Sequence, residues 1–522
     1  MIKEKKETKA ERVERIKKEK DGLDVLKDIH LYAKSGTSVH PEDIDRLKWY
    51  GLYTQNTNLQ AEDDDTLYFM LRVKLTSGSL NVVQLKKVAE ISKLYARSTA
   101  DFTTRQDLQF HFITMKDLPA IFSELKEVGL STVFAAGDVP RNVVTCPVNG
   151  IDISDTCDVT DIVAAVNKYF DGNKTLSNLP RKYKVGISAC SKHCMSHEIQ
   201  DLSFNAKRDE NGFVVFDVSV GGGLASNKQI ATHIGNVSEE QVLAVTQAVT
   251  QIYRDYGNRK SRTKARLGHI IKEFGIEWFK KVLEEKLNFK LKQTVLPTYT
   301  PYAKREHFGV HASKVKNTSY IGCAVSAGSV GATTLEQLSK ILAKNGATTI
   351  KLTTTQNFVI TDVPNDKTQE VLQELQNLDI EAFPSPFRAR TLACTGTKFC
   401  KFAISETKDL AQELIEYLEE KFPTFNETIS LSVNGCPHSC AHPHIVDIGL
   451  LGCKLKEDNQ TVTGFELILG GNLEGEKSNF GKKTGIKFTP EKSFTVIENI
   501  LKEYINSESQ SFREYLVEKT VE

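Results

Sequence analysis

The spacing of apolar and polar residues predicts the same small arrangement of strands and helices twice along the chain. In the first copy the pattern predicts a strand over 67–75, a turn at Ser77-Gly78, a helix over 82–95 and a strand over 102–112. Residues 320–360 repeat this pattern at a constant offset of 250 positions. The chain is therefore predicted to contain an internal duplication.

Identical residues at matching positions support the duplication. Thr103-Thr104-Arg105-Gln106 matches Thr353-Thr354-Thr355-Gln356, and at an offset of 246 residues 185–194 resemble 431–440. Each half is thus predicted to be a small αβ unit followed by a larger αβ segment. Two such halves, related by a pseudo-twofold axis, would face each other across a cleft suited to a large cofactor.

The remaining segments predict more helix than strand. Residues 1–60 read as a charged helical arm that ends in Trp49-Tyr50-Gly51-Leu52-Tyr53. Helices are predicted around 238–256 and 263–286, and the tail from about 486 is predicted to form one strand and one long helix. The predicted fold class is α+β, with duplicated αβ halves.

The totals narrow the class of protein. The 522 residues are enough for about two to four domains. The 68 lysines and arginines balance 67 acidic residues, so composition favours neither a nucleic acid nor a membrane surface as a partner. No apolar run approaches the roughly 20 residues that cross a bilayer, and the chain begins with mixed charge instead of an apolar signal. We expect a cytoplasmic protein with reduced thiols.

Four of the ten cysteines form two pairs in the second half. Cys394 and Cys400 are separated by five residues, and Cys436 and Cys440 by three. Four thiolates from two loops suit a cubane iron-sulfur cluster, in which each iron takes one sulfur ligand from the protein. A zinc site is the alternative, although its spacers are more often two residues long. These cysteines alone also leave open a non-catalytic electron carrier or a zinc-stapled binding module.

The first half carries cations where the second half carries these cysteines. They are Arg72, Arg105, Arg141 and the run Arg181-Lys182-Tyr183-Lys184. Several lie in or beside apolar strand segments, as in 69–73. A buried cation needs an anionic partner, and no run of carboxylates is nearby in the sequence. We therefore infer that the partner is a ligand.

Together these motifs resemble the ferredoxin-linked nitrite and sulfite reductases, which use sirohaem (siroheme) and a 4Fe-4S cluster. The resemblance extends from about Trp49 to the 480s and includes Pro140-Arg141-Asn142, Leu179-Pro180-Arg181-Lys182-Tyr183-Lys184 and Gly257-Asn258-Arg259. It implies an N-terminal helical arm at 1–60, paired ferredoxin-like half-domains at 61–135 and 310–380, a first αβ domain at 136–309 and a second at 381–522. The first αβ domain would lie on the substrate and sirohaem side, and the second would hold the cluster and the sirohaem ligand.

The resemblance also implies roles for individual residues. The cluster would be bound by Cys394, Cys400, Cys436 and Cys440, and the Cys440 thiolate would also bridge to the sirohaem iron. The substrate would be surrounded by Arg72, Arg141, Lys182 and Lys184. The macrocycle and its carboxylates would be contacted by Arg105, Gln109, Arg181, Arg266 and Gln356. His438 stands where many members have asparagine, which changes a local cofactor contact and leaves ligation intact.

The implied activity is the six-electron reduction of a small oxyanion, with ferredoxin as the electron donor and a monomeric enzyme. Members that favour sulfite resemble this chain in having lysine at both 182 and 184, whereas nitrite-favouring members commonly carry asparagine at the second place. We therefore favour sulfite reduction to sulfide. Residues 392–408 and 308–311 resemble nitrite reductases at least as much, so reduction of nitrite to ammonia is the alternative.

Further cysteines lie in the first half. Cys190 and Cys194 repeat the three-residue spacing, with Cys146 and Cys157 upstream. A second cluster there is the metal-binding interpretation, but the resemblance places none at this position. We interpret the Cys190 and Cys194 pair as a remnant of the duplication.

Overall fold

The chain forms four β-sheets within residues 7–225, 228–293 and 299–521, which the computed structural model describes. Helices flank these sheets, and the arrangement confirms the predicted α+β class. The largest continuous apolar core joins the N-terminal arm to the two small sheets, and each larger sheet has a core of its own. No helix in the described residues is both long and apolar enough to span a membrane.

The N-terminal arm contains three short helices, which are α1 (Lys9–Glu19), α2 (Leu26–Ser35) and α3 (Pro41–Arg46). Helix α1 begins with a capping box, in which the Thr8 hydroxyl and the Glu11 carboxylate each accept a backbone N–H from the other residue. The arm ends at the buried ring of Trp49, whose indole N–H donates to the Ser177 carbonyl over 2.8 Å. The aromatic end therefore packs the arm against the first large segment.

Each small unit contributes one strand to the sheet of the other. The first unit consists of β1 (Leu52–Thr54), β2 (Phe69–Val73), β3 (Ser79–Asn81), α4 (Val82–Tyr95), β4 (Thr99–Phe102), β5 (Leu108–Ile113) and α5 (Leu118–Glu127). The second consists of β10 (Gly309–Ala312), β11 (Thr318–Cys323), β12 (Ser329–Gly331), α10 (Ala332–Asn345), β13 (Thr349–Leu352), β14 (Phe358–Pro364) and α11 (Thr368–Gln376). The sheet orders are β1-β2-β5-β4-β12 and β10-β11-β14-β13-β3, so β12 and β3 are exchanged.

The two exchanged strands are related by the pseudo-twofold axis that the repeat predicts. Asp101 pairs with Ser329, and the residues 250 positions away, Lys351 and Ser79, pair in the same way. Gln106 and Gln356 both adopt a left-handed backbone, with φ of 56° and 65°. Their side-chain amides donate to the Leu352 carbonyl over 2.7 Å and to the Phe102 carbonyl over 3.1 Å.

The first large segment is built on a four-stranded sheet of order β6-β7-β8-β9. Its elements are α6 (Thr160–Phe170), β6 (Val185–Ser188), β7 (Leu202–Arg208), β8 (Val214–Val220), β9 (Thr232–Val237), α7 (Val242–Tyr256), α8 (Leu267–Phe274) and α9 (Ile276–Leu287). The prediction of one helix over 263–286 was wrong, because Gly275 takes a φ of 86° and separates α8 from α9.

The second large segment has five strands in the order β15-β16-β17-β18-β19. Its elements are α12 (Pro386–Ala389), β15 (Thr391–Ala393), α13 (Lys408–Lys421), β16 (Leu431–Asn434), β17 (Ile448–Glu457), β18 (Gln460–Leu469), β19 (Lys482–Phe488), α14 (Lys492–Ile505) and α15 (Phe512–Val521). The tail thus carries two helices, where the sequence predicted one long helix.

Corresponding loops of the two large segments lie at corresponding strand ends. Strands β6 and β7 are parallel, as are β16 and β17, and loops 189–201 and 435–447 connect them. The Thr104 hydroxyl of the first small unit donates to the Cys440 carbonyl over 3.2 Å. The matching Thr354 hydroxyl donates to the Cys194 carbonyl over 2.9 Å. Each small unit therefore contacts the cysteine loop of the opposite half.

A buried ion pair fixes the linker that precedes the second small unit. The Arg305 guanidinium donates to both Glu198 carboxylate oxygens over 3.0 and 2.7 Å, and both side chains are buried. Arg305→Met would leave the Glu198 carboxylate buried without its partner, which costs about 3–5 kcal/mol. We expect a clearly lower thermal unfolding midpoint. Arg15→Met is the control and should hardly change the midpoint, because the Arg15 side chain is 41% exposed and its ion pairs lie at the surface. Equal midpoints for both variants would contradict this account.

Candidate active site

The predicted substrate cations converge from separate parts of the first half. Arg72 lies on β2, and Arg141 lies in a segment that runs beside 183–186, where its N–H donates to the Tyr183 carbonyl over 2.9 Å. Lys182 and Lys184 precede β6 and, two residues apart in extended backbone, share one face. Burial lowers the pKa values of Arg141, Lys182 and Lys184, and neighbouring cations lower them further. Arg72 lowers the pKa of Arg141, Arg141 lowers the pKa of Lys182, and Lys182 lowers the pKa of Lys184.

Neighbouring carbonyl groups hold the two guanidinium groups in place. Arg141 donates to the Ala135 and Gly137 carbonyls over 2.9 and 2.8 Å. Arg72 donates to the Gln109 side-chain oxygen over 3.2 Å, and Gln109 in turn donates to Thr395, next to Cys394 in the chain, over 3.2 Å. Gln109 thus connects the first-half cations to the cysteine loop of the second half.

Several of these cationic groups have unused hydrogen-bonding capacity. The buried Nε atoms of Arg72, Arg105 and Arg141 have no hydrogen-bond partner. In the part of the chain that the structure describes, neither the Lys182 nor the Lys184 ammonium forms an ion pair with a carboxylate. Unpaired cations in a largely buried site cost free energy, so the chemistry of this donor set fits a polyanionic macrocycle and a small anion.

Burial and the other cations lower the pKa values of the two lysines. For Lys182, burial, Arg181 and Arg266 lower the pKa to about 8, against the opposing influence of the Cys440 thiol. For Lys184, burial and then Arg105 lower the pKa well below its usual value. Lys182 can therefore release and regain a proton close to neutral pH, which suits an acid that delivers protons.

Tyr53 belongs to this group, and the sequence analysis did not assign it a role. It lies on β1, opposite Met70 of β2. Burial raises the pKa of its phenol, but Arg141, Arg72 and Lys182 outweigh burial and bring the pKa to about 7. The only sequence signal was its place in the aromatic end of the arm, because a three-residue strand leaves no readable period.

The residues expected to contact the macrocycle occupy three different environments. Arg105 donates to the Gln200 side chain over 3.0 Å, and burial lowers its pKa to about 9. Arg266 forms a two-pronged ion pair with Asp201, over 3.0 and 2.6 Å, and Arg181 lies 3.4 Å from Asp138. Gln109 lies beside Arg72, as described above. Gln356 is buried, and its side-chain oxygen accepts the Ala393 N–H over 3.0 Å.

The two cysteine pairs of the second half lie near the carboxyl ends of β15 and β16. Cys394 follows β15, with its sulfur accepting the Gly435 N–H over 3.2 Å. Cys436 and Cys440 follow β16, and Cys440 influences the pKa of Cys394, Cys400 and Cys436. Burial raises the pKa of the Cys394 thiol to about 11 and that of Cys436 to about 12. Buried thiols of this kind ionise when an iron atom replaces the proton.

Cys440 connects the cysteine group to the cation group. Its thiol influences the pKa of Lys182 in the other half. His442, two residues further on, also faces first-half cations, since burial, Lys184 and Arg105 lower its pKa to about 3. The predicted cluster ligands and the predicted substrate cations are therefore neighbours in space, although they are more than 200 residues apart in the chain.

A second group of thiols lies in the first half. Cys146, Cys190 and Cys194 meet His307, and all four are buried. Cys157 is not part of this group. The sequence predicts Cys190 and Cys194 as a remnant of the duplication, and it carries no signal for His307, which is more than 100 residues away.

Comparisons with known proteins give the family. Residues 136–291 and 387–517 match the nitrite and sulphite reductase 4Fe-4S domain, and residues 61–128 and 311–378 match the nitrite/sulfite reductase ferredoxin-like half domain. The chain belongs to the nitrite and sulphite reductase family. It is an oxidoreductase, and the predicted family and its cofactors, sirohaem and a 4Fe-4S cluster, are confirmed.

Individual relatives match over nearly their whole length. The chain is 36% identical to sulfite reductase (ferredoxin) 1 of Mycolicibacterium paratuberculosis, covering 91% of this chain and 88% of that protein. It is 30% identical to ferredoxin-nitrite reductase of Synechococcus elongatus, covering 96% and 98%. The structure of Mycobacterium tuberculosis NirA superimposes with a TM-score of 0.91 at 33% identity, covering 97% of this chain and 96% of that one.

The lowered pKa of Tyr53 predicts a tyrosinate near neutral pH. Because the folded pKa of about 7 lies below the usual 10.0, ionised Tyr53 stabilises the fold above pH 7, fully so above pH 10, and this contribution is lost as pH falls through 7. Ultraviolet difference spectra of the cofactor-free protein should show one tyrosine ionising near pH 7, absent in Tyr53→Phe. The exposed Tyr256→Phe is the control. A wild-type protein without tyrosinate until pH 9 would contradict the assignment.

Proposed function

We propose that this protein is a ferredoxin-linked sulfite reductase that reduces sulfite to sulfide with six electrons. The observation that carries the proposal is the meeting of unpaired first-half cations with Cys440 of the second half. An anion-binding surface next to four convergent thiols suits a site in which electrons are delivered to a bound oxyanion.

Named residues would hold the two cofactors. Cys394, Cys400, Cys436 and Cys440 would bind the cluster, and Cys440 would also bind the sirohaem iron. The macrocycle's carboxylates would be held by Arg105, Arg181 and Arg266, with arginine suited to two-pronged pairing. Gln109 and Gln356 complete the proposed cofactor contacts. When bound, these cofactors supply single electrons at the iron that faces the substrate.

The chain's own cations bind and orient the substrate. A cation about 4 Å from an anion contributes on the order of 4 kcal/mol at an effective dielectric near 20, so Arg72, Arg141, Lys182 and Lys184 together would bind sulfite strongly. They would also draw charge towards the substrate oxygens, which leave as water after protonation. Lys182 and Tyr53, with pKa values of about 8 and about 7, are the groups suited to hold and transfer those protons.

Two observations favour sulfite over nitrite. Lys184 places a second ammonium beside Lys182, which suits the more highly charged sulfite. Relatives named sulfite reductase (ferredoxin) are 34% and 36% identical, whereas relatives named ferredoxin-nitrite reductase are 30% and 31% identical. The relative from Synechococcus elongatus matches over 98% of its length, so nitrite reduction to ammonia is the second candidate function.

Ferredoxin is the proposed electron donor, since the relatives of both substrate classes carry it in their names. The proposed setting is the cytoplasm, where the ten free cysteines would stay reduced. The protein is proposed to act as a monomer, without a nucleic acid or membrane partner.

Replacing Lys184 should change the choice of substrate. Lys184→Asn removes one ammonium from the anion site, so we expect kcat/KM for sulfite to fall about tenfold more than that for nitrite, which is about 1.4 kcal/mol of selectivity. The assay is steady-state turnover of both anions with reduced ferredoxin. Lys174→Asn, at an exposed position, is the matched control. An unchanged ratio of the two kcat/KM values would refute the role of Lys184.

Removing a cluster ligand should remove the visible spectrum of the cluster. Cys400→Ser replaces a thiolate by a weak hydroxyl ligand, so we expect loss of most of the iron and of reductase activity. Cys453→Ser, on β17 and outside both cysteine groups, is the control and should retain the iron. Full iron content and a wild-type spectrum in Cys400→Ser would contradict the assignment.

A further inference from the structure

The first half holds a compact set of metal-ligand atoms outside the proposed active site. The sulfur atoms of Cys146, Cys190 and Cys194 and a ring nitrogen of His307 lie within 4.8 Å of one another, and all four residues are buried. The His307 Nε2 atom is 3.3 Å from the Cys146 sulfur and 3.4 Å from the Cys190 sulfur. Such convergence of buried thiols on one imidazole is uncommon unless the groups share a ligand.

The duplication relates this set to the cluster cysteines. Cys190 and Cys194 correspond to Cys436 and Cys440 at the offset of 246. The backbone also corresponds, since φ is 53° at both His193 and Ser196, and 54° and 61° at the matching Ser439 and His442. The metal-binding conformation of this loop is therefore present in both halves.

Cys146 is the counterpart of Cys394. Val144 pairs in parallel with Gly186, and Leu392 pairs in the same way with Ser432. Val144 and Leu392 are 248 positions apart, and Gly186 and Ser432 are 246 positions apart. Two residues after each pair come Cys146 and Cys394. The first half thus retains counterparts of three of the four cluster cysteines.

The fourth cluster cysteine, Cys400, has no cysteine counterpart in the first half, and His307 supplies the fourth ligand atom there. At the offset of 248, the counterpart of Cys400 is Asp152. Its carboxylate lies 3.9 Å from the Nδ1 atom of His307 and accepts a hydrogen bond from the Tyr320 hydroxyl. The His307 Nδ1 atom makes no hydrogen bond with the described residues, so the Asp152 carboxylate acts on the imidazole through its charge alone, and the Nε2 atom faces the sulfurs. The set becomes three sulfurs and one nitrogen.

The size of the set decides between one ion and a cluster. Zn–S and Zn–N bonds of about 2.3 and 2.0 Å place tetrahedral ligand atoms about 3.5–3.8 Å apart, close to the 3.3 and 3.4 Å seen between His307 and two of the sulfurs. A cubane gives each cysteine a separate iron and therefore needs wider spacing. The cluster cysteines of the second half do not form such a compact set among the described residues.

Residues around the set also differ from those of the sirohaem side. The positions that correspond to Lys182 and Lys184 are Thr428 and Ser430. The counterpart of Arg141 is Ala389. The second half therefore lacks cations at the three positions that correspond to proposed substrate cations of the first half.

We propose that Cys146, Cys190, Cys194 and His307 bind a single four-coordinate zinc ion with a structural role. The ion joins loop 189–201 of the first half to the linker that carries His307 into the second small unit. It acts with the neighbouring Arg305–Glu198 ion pair, and it is independent of the substrate of the enzyme.

Metal analysis of the purified holoprotein tests the proposal. Inductively coupled plasma mass spectrometry of the wild type should find about one zinc per chain, in addition to the iron of the cofactors. Cys190→Ser should reduce zinc to below about 0.2 per chain, because three ligands hold the ion much less tightly. His307→Ala should lower the zinc content in the same way, because it also leaves three ligands.

Two control variants separate the two metal sites. Cys453→Ser should keep both metals, and Cys436→Ser should lose iron but keep zinc. Wild-type protein with less than about 0.2 zinc per chain would overturn the proposal. Loss of iron in Cys190→Ser, from a protein that contains no zinc, would also overturn it. If Cys190→Ser does not fold, the wild-type zinc content and His307→Ala still decide it, because full zinc in His307→Ala would exclude a ligand role for that position.

Discussion

The structure depends on positive charge from one half of the duplication facing a thiol of the other half. Cys440 raises the pKa of Lys182 against the larger effect of burial, while the neighbouring guanidinium groups of Arg72 and Arg141 have unused donors. Unpaired cations in a low-dielectric site are costly. We propose that they are tolerable because the site binds anions, with the same cations stabilising the cofactor carboxylates and the substrate together.

The duplication explains how such asymmetry arises on a symmetric frame. Strands are exchanged between the small units at positions that differ by 250, and Thr104 and Thr354 make equivalent contacts with opposite cysteine loops. What differs is side-chain chemistry: the first half kept the cations, and the second kept four thiols suited to a cluster. In the first half, the three retained thiols and His307 lie close together, and this compact set of ligand atoms suits one ion.

Much of this organisation could be predicted because it leaves local or repeated signals. The cysteine pairs, the gapless repeat and the cations within apolar strands all stand in the sequence. Contacts between distant segments do not. Tyr53 reaches the cations only through the pairing of a three-residue strand, and His307 reaches Cys146 from a linker with no periodic pattern. The break at Gly275 depends on one backbone angle inside a continuous apolar pattern.

Anomalous diffraction from crystals of the holoprotein, at the iron absorption edge, tests the central claim most directly. The account predicts four clustered iron positions beside Cys394, Cys400, Cys436 and Cys440, and one further iron on the far side of the Cys440 sulfur, facing Lys182 and Lys184. Iron that lies away from Cys440, or a separate iron with no cation facing it, would contradict the account.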